Sequence, residues 1–193
     1  SKIMKHIFLL TFVFAVFWAK AQGSMQINNG AELSSSGSAT LTFNDYNLTN
    51  NGIFNLVDSG NVTFAGTNVQ SVNGSGLTRV GNLIIENTAG FTCDNEIQLV
   101  NVLTPNNSTI NFNDSFRFTN SSSDQVAQIA EAGMASLNGK VIIENYIPAS
   151  RAFRFMSSTV TTDDGIRTNW QNGGTTISGV GTHITGSQTG ANG

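Results

Sequence analysis

The fold is decided by a short strand-like segment that recurs along the chain: Leu41–Phe43 (LTF), Val62–Phe64 (VTF) and Leu83–Ile85 (LII), each beginning 21 residues after the one before. These segments are rich in β-branched and aromatic residues, which favour strands. A fixed period of this length is typical of repeat proteins, in which every repeat stacks on its neighbours. If each repeat makes one turn of the chain, stacked strands would lie about 4.8 Å apart in a parallel β-helix.

Turn-forming residues separate these segments. Asn-Gly pairs at positions 29–30, 51–52 and 73–74 recur at intervals of 22 residues, and both residue types tolerate left-handed backbone angles. The sequence therefore predicts an all-β fold, with a parallel β-helix-like solenoid over residues 22–122. The alternative is an antiparallel β-sandwich, in which the Asn-Gly pairs would close hairpins.

The pattern changes after the repeats. Residues 123–138 are predicted to be a connector, either irregular or helical, since Asp124 could cap a short helix. Residues 139–170 are predicted to form a small β segment that caps the open end of the stack. Residues 171–193 are a Gly-, Ser- and Thr-rich tail, in which we expect the chain to be truncated.

The first 21 residues have the three parts of a secretory signal peptide, in order. Met4–His6 is basic, Ile7–Trp18 is apolar apart from Thr11, and Ala19 and Ala21 are the small residues that a signal peptidase reads. The apolar run is 12 residues long, whereas a membrane-spanning helix needs about 20. We therefore predict cleavage after Ala21, a protein that is secreted or held on the outer cell surface, and no transmembrane anchor after cleavage.

Charged residues make up 11% of the chain, against about 25% in a typical globular domain. Three of the nine basic residues lie in the predicted leader, which leaves six against 12 acidic residues and a net charge of about −6. An acidic protein is repelled by nucleic acids and by anionic membranes. The sequence therefore predicts no nucleic-acid partner.

Few residues could carry catalysis or bind a metal. After the leader, Cys93 and His183 are the only cysteine and histidine, and the chain has no G-x-S-x-G, P-loop or G-x-G-x-x-G motif. One Cys and one His do not make a zinc site. We predict no enzymatic activity and no cofactor, with Ca²⁺ as the single candidate ion, because aspartates in Asn- and Gly-rich turns could supply oxygen ligands. These aspartates are Asp45, Asp58, Asp94, Asp114, Asp163 and Asp164.

Two of these aspartates suggest an enzyme as a less favoured alternative. Asp94 and Asp114 lie 20 residues apart, close to one repeat. If they occupied equivalent turns of a β-helix, their carboxylates would be about 5 Å apart, near the separation found in retaining glycosidases. The chain would then be a polysaccharide-degrading β-helix enzyme.

The C-terminal part contains an ordered string of segments: Gly139–Pro148 (GKVIIENYIP), Arg151–Thr162 (RAFRFMSSTVTT), Asn169–Gln171 (NWQ) and Gly181–Gly186 (GTHITG). This string resembles a block found in large secreted surface proteins of Bacteroidetes, many of which are exported by the type IX secretion system. In those proteins the block follows β-rich repeats and precedes a C-terminal sorting domain, so we expect this chain to be a fragment that stops before one. The resemblance implies an adhesin-like role and carries over no catalytic residue.

Aromatic and arginine side chains are dense within this block. Aromatic rings stack on sugars and arginines donate hydrogen bonds to hydroxyl groups, so the set is a candidate carbohydrate-binding face; the alternative is a packed core. The set comprises Tyr146, Arg151, Phe153, Arg154 and Trp170. The sequence as a whole favours a non-catalytic, secreted or cell-surface structural protein of adhesin-like type, with glycans or other surface proteins as partners. A carbohydrate-binding module and, less favoured, the β-helix enzyme remain the alternatives.

Overall fold

The computed structural model describes residues 22–146 and 161–162, and every regular element within them is a β-strand. The predicted leader, the tail at 171–193 and most of the block at 139–170 lie outside the described residues. The strands are β1 (Gly23–Ile27), β2 (Glu32–Ser34), β3 (Thr40–Asn44), β4 (Tyr46–Asn50), β5 (Ile53–Ala65), β6 (Gln70–Gly74), β7 (Leu77–Ile85), β8 (Phe91–Cys93), β9 (Ile97–Leu99), β10 (Val102–Thr104), β11 (Thr109–Asn111), β12 (Phe116–Phe118), β13 (Gln128–Ile129), β14 (Ser136–Asn138) and β15 (Ile142–Ile143).

The strands wind into a parallel β-solenoid, as the repeat predicts. One sheet has six strands in the order β1-β4-β6-β8-β11-β14, and the chain contributes one of them per turn, so the described residues make six coils. All pairings between the named strands are parallel. The antiparallel sandwich is therefore wrong, because each strand returns above its predecessor instead of folding back beside it.

The second sheet has nine strands and bends into two halves. The 13-residue strand β5 joins the halves, since it pairs with both β2 and β3 on one side and with β7 on the other. Its register shifts between Leu56 and Asn61, where the strand turns a corner. Each coil consequently has three sides: one in the six-stranded sheet and one in each half of the nine-stranded sheet.

The three recurring segments, Leu41–Phe43, Val62–Phe64 and Leu83–Ile85, lie directly above one another in register. Their first and third residues enter the core, and their middle residues face outward. The rings of Phe43 and Phe64 stack with centroids 4.7 Å apart and an interplanar angle of 7°. The 21-residue period is confirmed here, because it is the length of one coil through this corner.

The Asn-Gly interval of 22 residues is wrong as a structural marker. Asn50 pairs with Gly74, and the chain next to Gly52 is the backbone of Gly76, not of Gly74. The distance along the chain between paired residues ranges from 19, for Phe91 and Ile110, to 27 in the pairing of β11 with β14. Turns of different length are tolerated because they lie on the surface and only the strands must stack.

No helix forms over residues 123–138. Gln128 and Ala130 donate their backbone N–H groups to the carbonyls of Asn101 and Leu103, so this segment is held in a ladder with β10. Ser136–Asn138 likewise pairs with β11. Parallel partners were available on β10 and β11, and this tertiary pairing outweighed a weak helical pattern.

The solenoid also extends beyond residue 122, where the sequence pattern placed its end. Ile142 and Ile143 pair with Arg117 and Phe118 of β12, and the Glu144 N–H donates to the Phe118 carbonyl. The start of the predicted cap, residues 139–146, is thus the sixth coil of the stack itself. The remainder of the predicted cap lies outside the described residues, apart from Thr161 and Thr162.

Two polar side chains are completely buried at one corner of the stack. The amide of Gln70 donates to the carbonyls of Phe43 (3.0 Å) and Tyr46 (2.9 Å) in the coil before it. Asn87 donates to the Gln70 side-chain oxygen (2.8 Å) and to the Asn68 carbonyl. These bonds give the two buried amides partners in the interior, as buried polar groups require.

Candidate functional site

The predicted carbohydrate-binding residues fall mostly beyond what the structure describes. Tyr146 is described, and 47% of its surface is exposed. Arg151, Phe153, Arg154 and Trp170 lie outside the described residues, as do Ala19 and Ala21 of the predicted cleavage site. That set and the leader stay predictions.

The expected pair of stacked acids is not formed. Thr92 pairs with Asn111, which places Asp94 beside Asn113 and not beside Asp114. The Asn113 amide donates to the Asp94 carboxylate at 2.8 Å. Asp114 instead accepts the backbone N–H of Lys140 at 3.0 Å. The two carboxylates therefore occupy successive positions of the turn, because the local coil is 19 residues long and not 20, and the geometric premise of the glycosidase alternative is wrong.

Turn carboxylates bind the backbone of neighbouring coils. Asp45, in the left-handed region with φ of 58°, accepts the N–H groups of Thr67 (2.7 Å) and Asn68 (2.9 Å). These hydrogen bonds, led by the one from Asn68, hold the pKa of the Asp45 carboxyl below its ordinary value. Asp58 accepts the Gly37 N–H at 3.0 Å. In these turns a carboxylate accepts hydrogen bonds from backbone N–H groups, as an N-cap side chain does at the start of a helix.

Metal-binding and nucleophilic groups were sought in the same turns. Over residues 22–146 and 161–162, nowhere do three His, Cys, Asp or Glu side chains gather as they would around an ion; Ca²⁺ binding stays a prediction. Cys93 is fully buried in β8, and burial raises the pKa of its thiol. A thiol held protonated in the core is a poor nucleophile.

The nine-stranded sheet carries an ion-pair ladder on its outer surface. Arg117 in β12 bonds the Glu96 carboxylate of the coil before it (3.2 Å) and the Glu144 carboxylate of the coil after it (2.9 Å). Gln98 also donates to Glu96 at 2.8 Å. The hydrogen bonds from Arg117 and then Gln98 lower the pKa of Glu96. The ladder joins three successive coils.

We expect Arg117→Gln to lower the free energy of unfolding by about 0.5–1 kcal/mol at neutral pH, since both ion pairs are partly exposed. The folded-state pKa of Glu96 is depressed below its ordinary value of 4.5, so its contribution is present above that pH and disappears as the pH falls through the folded-state value. Urea unfolding at about pH 7 and again at a pH well below 4.5 should therefore show a smaller loss at the lower pH.

The matched control for this prediction is Arg79→Gln. Arg79 lies in the same outward column, paired through Gln98 with Arg117, but forms no ion pair among the described residues. It should change stability by less than about 0.5 kcal/mol. An Arg117→Gln loss of equal size at both pH values would contradict the electrostatic explanation.

The outer surface of the six-stranded sheet is different, and the sequence patterns did not single it out. Its outward side chains are short, polar and without charge, and we call this surface the neutral face. It consists of Ser24, Gln26, Asn47, Thr49, Ser71, Asn73, Thr92, Thr109, Asn111, Ser136 and Asn138.

Some of the hydrogen bonds on the neutral face join neighbouring coils. The hydroxyls of Ser24 and Thr49 lie 2.9 Å apart, and the Asn138 amide donates to the Asn111 side-chain oxygen at 3.3 Å. The face therefore presents a regular array of hydroxyl and amide groups on a stiff parallel sheet. Alternation of small polar residues with buried ones was the available sequence signal, but it could not show that the six segments share one surface.

Two exposed aromatic residues lie at opposite ends of the described solenoid. All seven phenylalanines of the described residues are buried, whereas Tyr46 and Tyr146 are 53% and 47% exposed. Tyr46 begins β4 and pairs with Gly23 of β1. Its side chain lies on the same side of the sheet as the buried Leu48, and therefore not on the neutral face. Its ring lies against Gly23, where any Cβ would overlap the Tyr46 Cε1 atom.

Comparisons with known proteins add nothing to this geometry: no family model, no curated protein and no solved structure matches the chain. Among residues 22–146 and 161–162 there is also no helix with the length and apolarity to cross a bilayer. The β-solenoid and its surfaces are thus the observations from which a function is inferred.

Proposed function

We propose that this chain is a non-catalytic structural protein of adhesin-like type, exported to the cell surface or beyond, in which the solenoid holds binding surfaces away from the cell. The observation that carries the proposal is the continuous stack of six coils, paired in parallel on every side. A solenoid has an extended outer surface that is repeated from coil to coil, and such surfaces are suited to binding.

The cross-links between coils support a stiff scaffold. Besides the backbone ladders, turn side chains bond the next coil directly: the Asn47 side-chain oxygen accepts the Ser71 N–H (2.8 Å), and the Asn50 amide donates to Thr78 (2.9 Å) and to the Leu77 carbonyl (2.8 Å). A rod whose neighbouring turns are bonded at strands and corners resists bending. This property suits a stalk or a display surface.

The surface chemistry favours glycans or other surface proteins as partners. Outward positions on the six-stranded sheet are hydroxyl and amide side chains, which form hydrogen bonds without a charge preference. The net acidic balance of the chain disfavours nucleic acid, because two negative surfaces repel. The location outside the cytoplasm rests on the leader pattern and on the resemblance to secreted Bacteroidetes proteins.

Export is tested by expressing the full chain in a Bacteroidetes host and following it by fractionation and N-terminal mass spectrometry. We expect a mature N-terminus at Gln22 and no full-length protein in the cytoplasm, because residues 4–21 match a signal peptide. The control is Phe12→Arg, which interrupts the apolar run and should leave uncleaved protein inside the cell. Cytoplasmic, uncleaved wild-type chain would refute the proposal.

A further inference from the structure

The N-terminal end of the solenoid is open on all three sides of its first coil. Among the described residues, β1 pairs only with β4, and β2 and β3 pair only with β5. Successive peptide groups of a strand point to opposite sides, and the Ile27 carbonyl accepts the Asn51 N–H of the second coil. The N–H and C=O groups of Ser24 and Gln26 therefore point away from the stack, and such an edge is a template for a further strand.

The apolar residues of the first coil are incompletely covered. The inward side chains of Met25, Leu33 and Leu41 are half-buried and pack against the core. Leu48 and Val62, which pair with Met25 and Leu41 in the second coil, are both 1% exposed. Covering the first coil would bury the remaining apolar surface, which is favourable in proportion to its area.

Tyr46 adds an aromatic ring to this end of the stack. Its side chain is on the inward side of β4, and its partner in the first coil is Gly23. The ring fills the space that a side chain at Gly23 would occupy, so it lies at the level of the first coil. More than half of the residue is exposed, at 53%.

Two of the three open strands lack the usual protection of a sheet edge. Soluble proteins place charged residues, lysine above all, or proline on exposed edge strands. The strands β1 (GSMQI) and β3 (TLTFN) contain neither, and Glu32 in β2 is the one charged residue on the three strands. An apolar edge without such protection indicates that a partner covers it.

Chain length and the shape of the end identify that partner as a second copy. Cleavage after Ala21, which the proposed function includes, leaves only Gln22 before β1, so the mature chain has no N-terminal segment to cover the first coil. A single strand from another protein would cover one of the three edges and leave two. The chain continues past Tyr146 at the opposite end of the stack, whereas the N-terminal end has no such continuation after cleavage.

We propose that the mature protein forms a symmetric dimer in which the first coils of two copies pair through their open edges. A two-fold axis through Met25 and the centre of the coil places β1 antiparallel to β1 of the partner. The other two sides of the coil exchange places, so β2 lies beside β3 of the partner, which has no charged residue to repel Glu32. The inference rests on the proposed function, since removal of the leader frees this end.

This symmetry keeps inward side chains inward. Met25, Leu33 and Leu41 of both chains would therefore enter one shared core, as an interface that uses the same surface on both subunits requires. Gly23 pairs with Tyr46, so the first coil is 23 residues long, and a standard protein interface has about 20–30 residues on each side. The dimer would double the length of the continuous stack, with the two far ends pointing in opposite directions.

The test is sedimentation equilibrium of the full chain carrying a specific protease site immediately before Gln22, after cleavage at that site. We expect twice the monomer mass at micromolar concentration and no larger species, because a closed dimer uses both open ends. Met25→Lys should weaken the dimer about a hundredfold or more, since the axis brings two lysines together in the shared core. Its control, Met25→Leu, should retain the dimer.

Gln26→Pro tests the backbone pairing separately. It removes an N–H group that faces the open edge, and proline is tolerated at such positions of edge strands. We expect about tenfold or more weakening of the dimer, whereas Gln26→Ala keeps the N–H group and the dimer. Circular dichroism should show all four variants folded, because a lysine at the half-buried position 25 can extend to solvent in the monomer.

A monomer at every concentration, open-ended association into longer species, or a dimer that Met25→Lys and Gln26→Pro leave unchanged would overturn the inference. The protease-cleaved sample does not depend on export. An exported but monomeric chain therefore loses only the dimer, whereas a wild-type chain retained uncleaved in the cytoplasm loses the proposed function itself.

Discussion

Replacing Phe64 by alanine is expected to lower the free energy of unfolding by about 3–5 kcal/mol, the usual cost of emptying a buried phenylalanine site. Phe64 is 1% exposed and its ring packs between those of Phe43 and Phe91, with centroids 4.7 Å away on each side. Phe43 is the partner of Phe64 in the preceding coil, and Phe91 belongs to β8 of the six-stranded sheet. The cavity would therefore lie in the middle of the stack, where the paired backbones above and below cannot move together to fill it.

Urea unfolding followed by circular dichroism measures this loss. Phe64→Leu keeps most of the volume and should cost clearly less than Phe64→Ala. Ile84→Ala, at a half-buried outward position of the adjacent coil, should cost about 1 kcal/mol. If the Phe64→Ala variant were as stable as Ile84→Ala, the contacts of the Phe64 ring with Phe43 and Phe91 would not be what stabilises the stack.

Replacing Gln70 by leucine is expected to cost about 2–5 kcal/mol, although leucine is more apolar and similar in size. Gln70 is 0% exposed, and its amide satisfies the carbonyls of Phe43 and Tyr46 while its oxygen accepts from Asn87. Leucine would remove the donor that these two carbonyls share and the acceptor that Asn87 uses. Each unsatisfied buried group carries its full desolvation penalty, which the gain in apolar contact does not offset.

Gln98→Leu is the control for this prediction. Gln98 is also in a strand but faces outward, where it bonds only the partly exposed Glu96, and its replacement should cost less than about 1 kcal/mol. The readout is again urea unfolding. A Gln70→Leu variant as stable as the wild type would show that the Phe43 and Tyr46 carbonyls find other donors. The buried Gln70–Asn87 pair would then not be needed for the fold.

The strand content and the architecture were predictable from the sequence, because both depend on local alternation. Leu41–Phe43, Val62–Phe64 and Leu83–Ile85 each supply residues for one side of a coil, and a constant interval between them places equivalent side chains above one another. Apolar residues at alternate positions must face inward in any parallel stack. The 21-residue interval therefore indicated both the turn length and the core.

The register elsewhere was not predictable. Coil lengths differ because the turns differ in length. An exposed turn of any suitable length can bring the chain back to the start of the next paired strand. For this reason Asn73-Gly74 does not repeat Asn51-Gly52, and Asp94 meets Asn113 instead of Asp114. The segment 123–138 was misleading for a related reason. Its two short strands, β13 and β14, form because they pair with β10 and β11, and this pairing cannot be inferred from the segment alone.

By itself, the sequence determined that this chain would be built of short strands around an apolar interior, since alternation of side chains along a strand fixes which residues are buried. The 21-residue period favoured a parallel stack, and the strand pairing established it. Only the tertiary structure decided which polar residues enter that interior, as Gln70 does, and which share one outer surface, as Ser24 and Thr49 do. The reason is that a side chain's neighbours in a solenoid come from the coils above and below, and their register is set by turn lengths that the repeat pattern does not constrain.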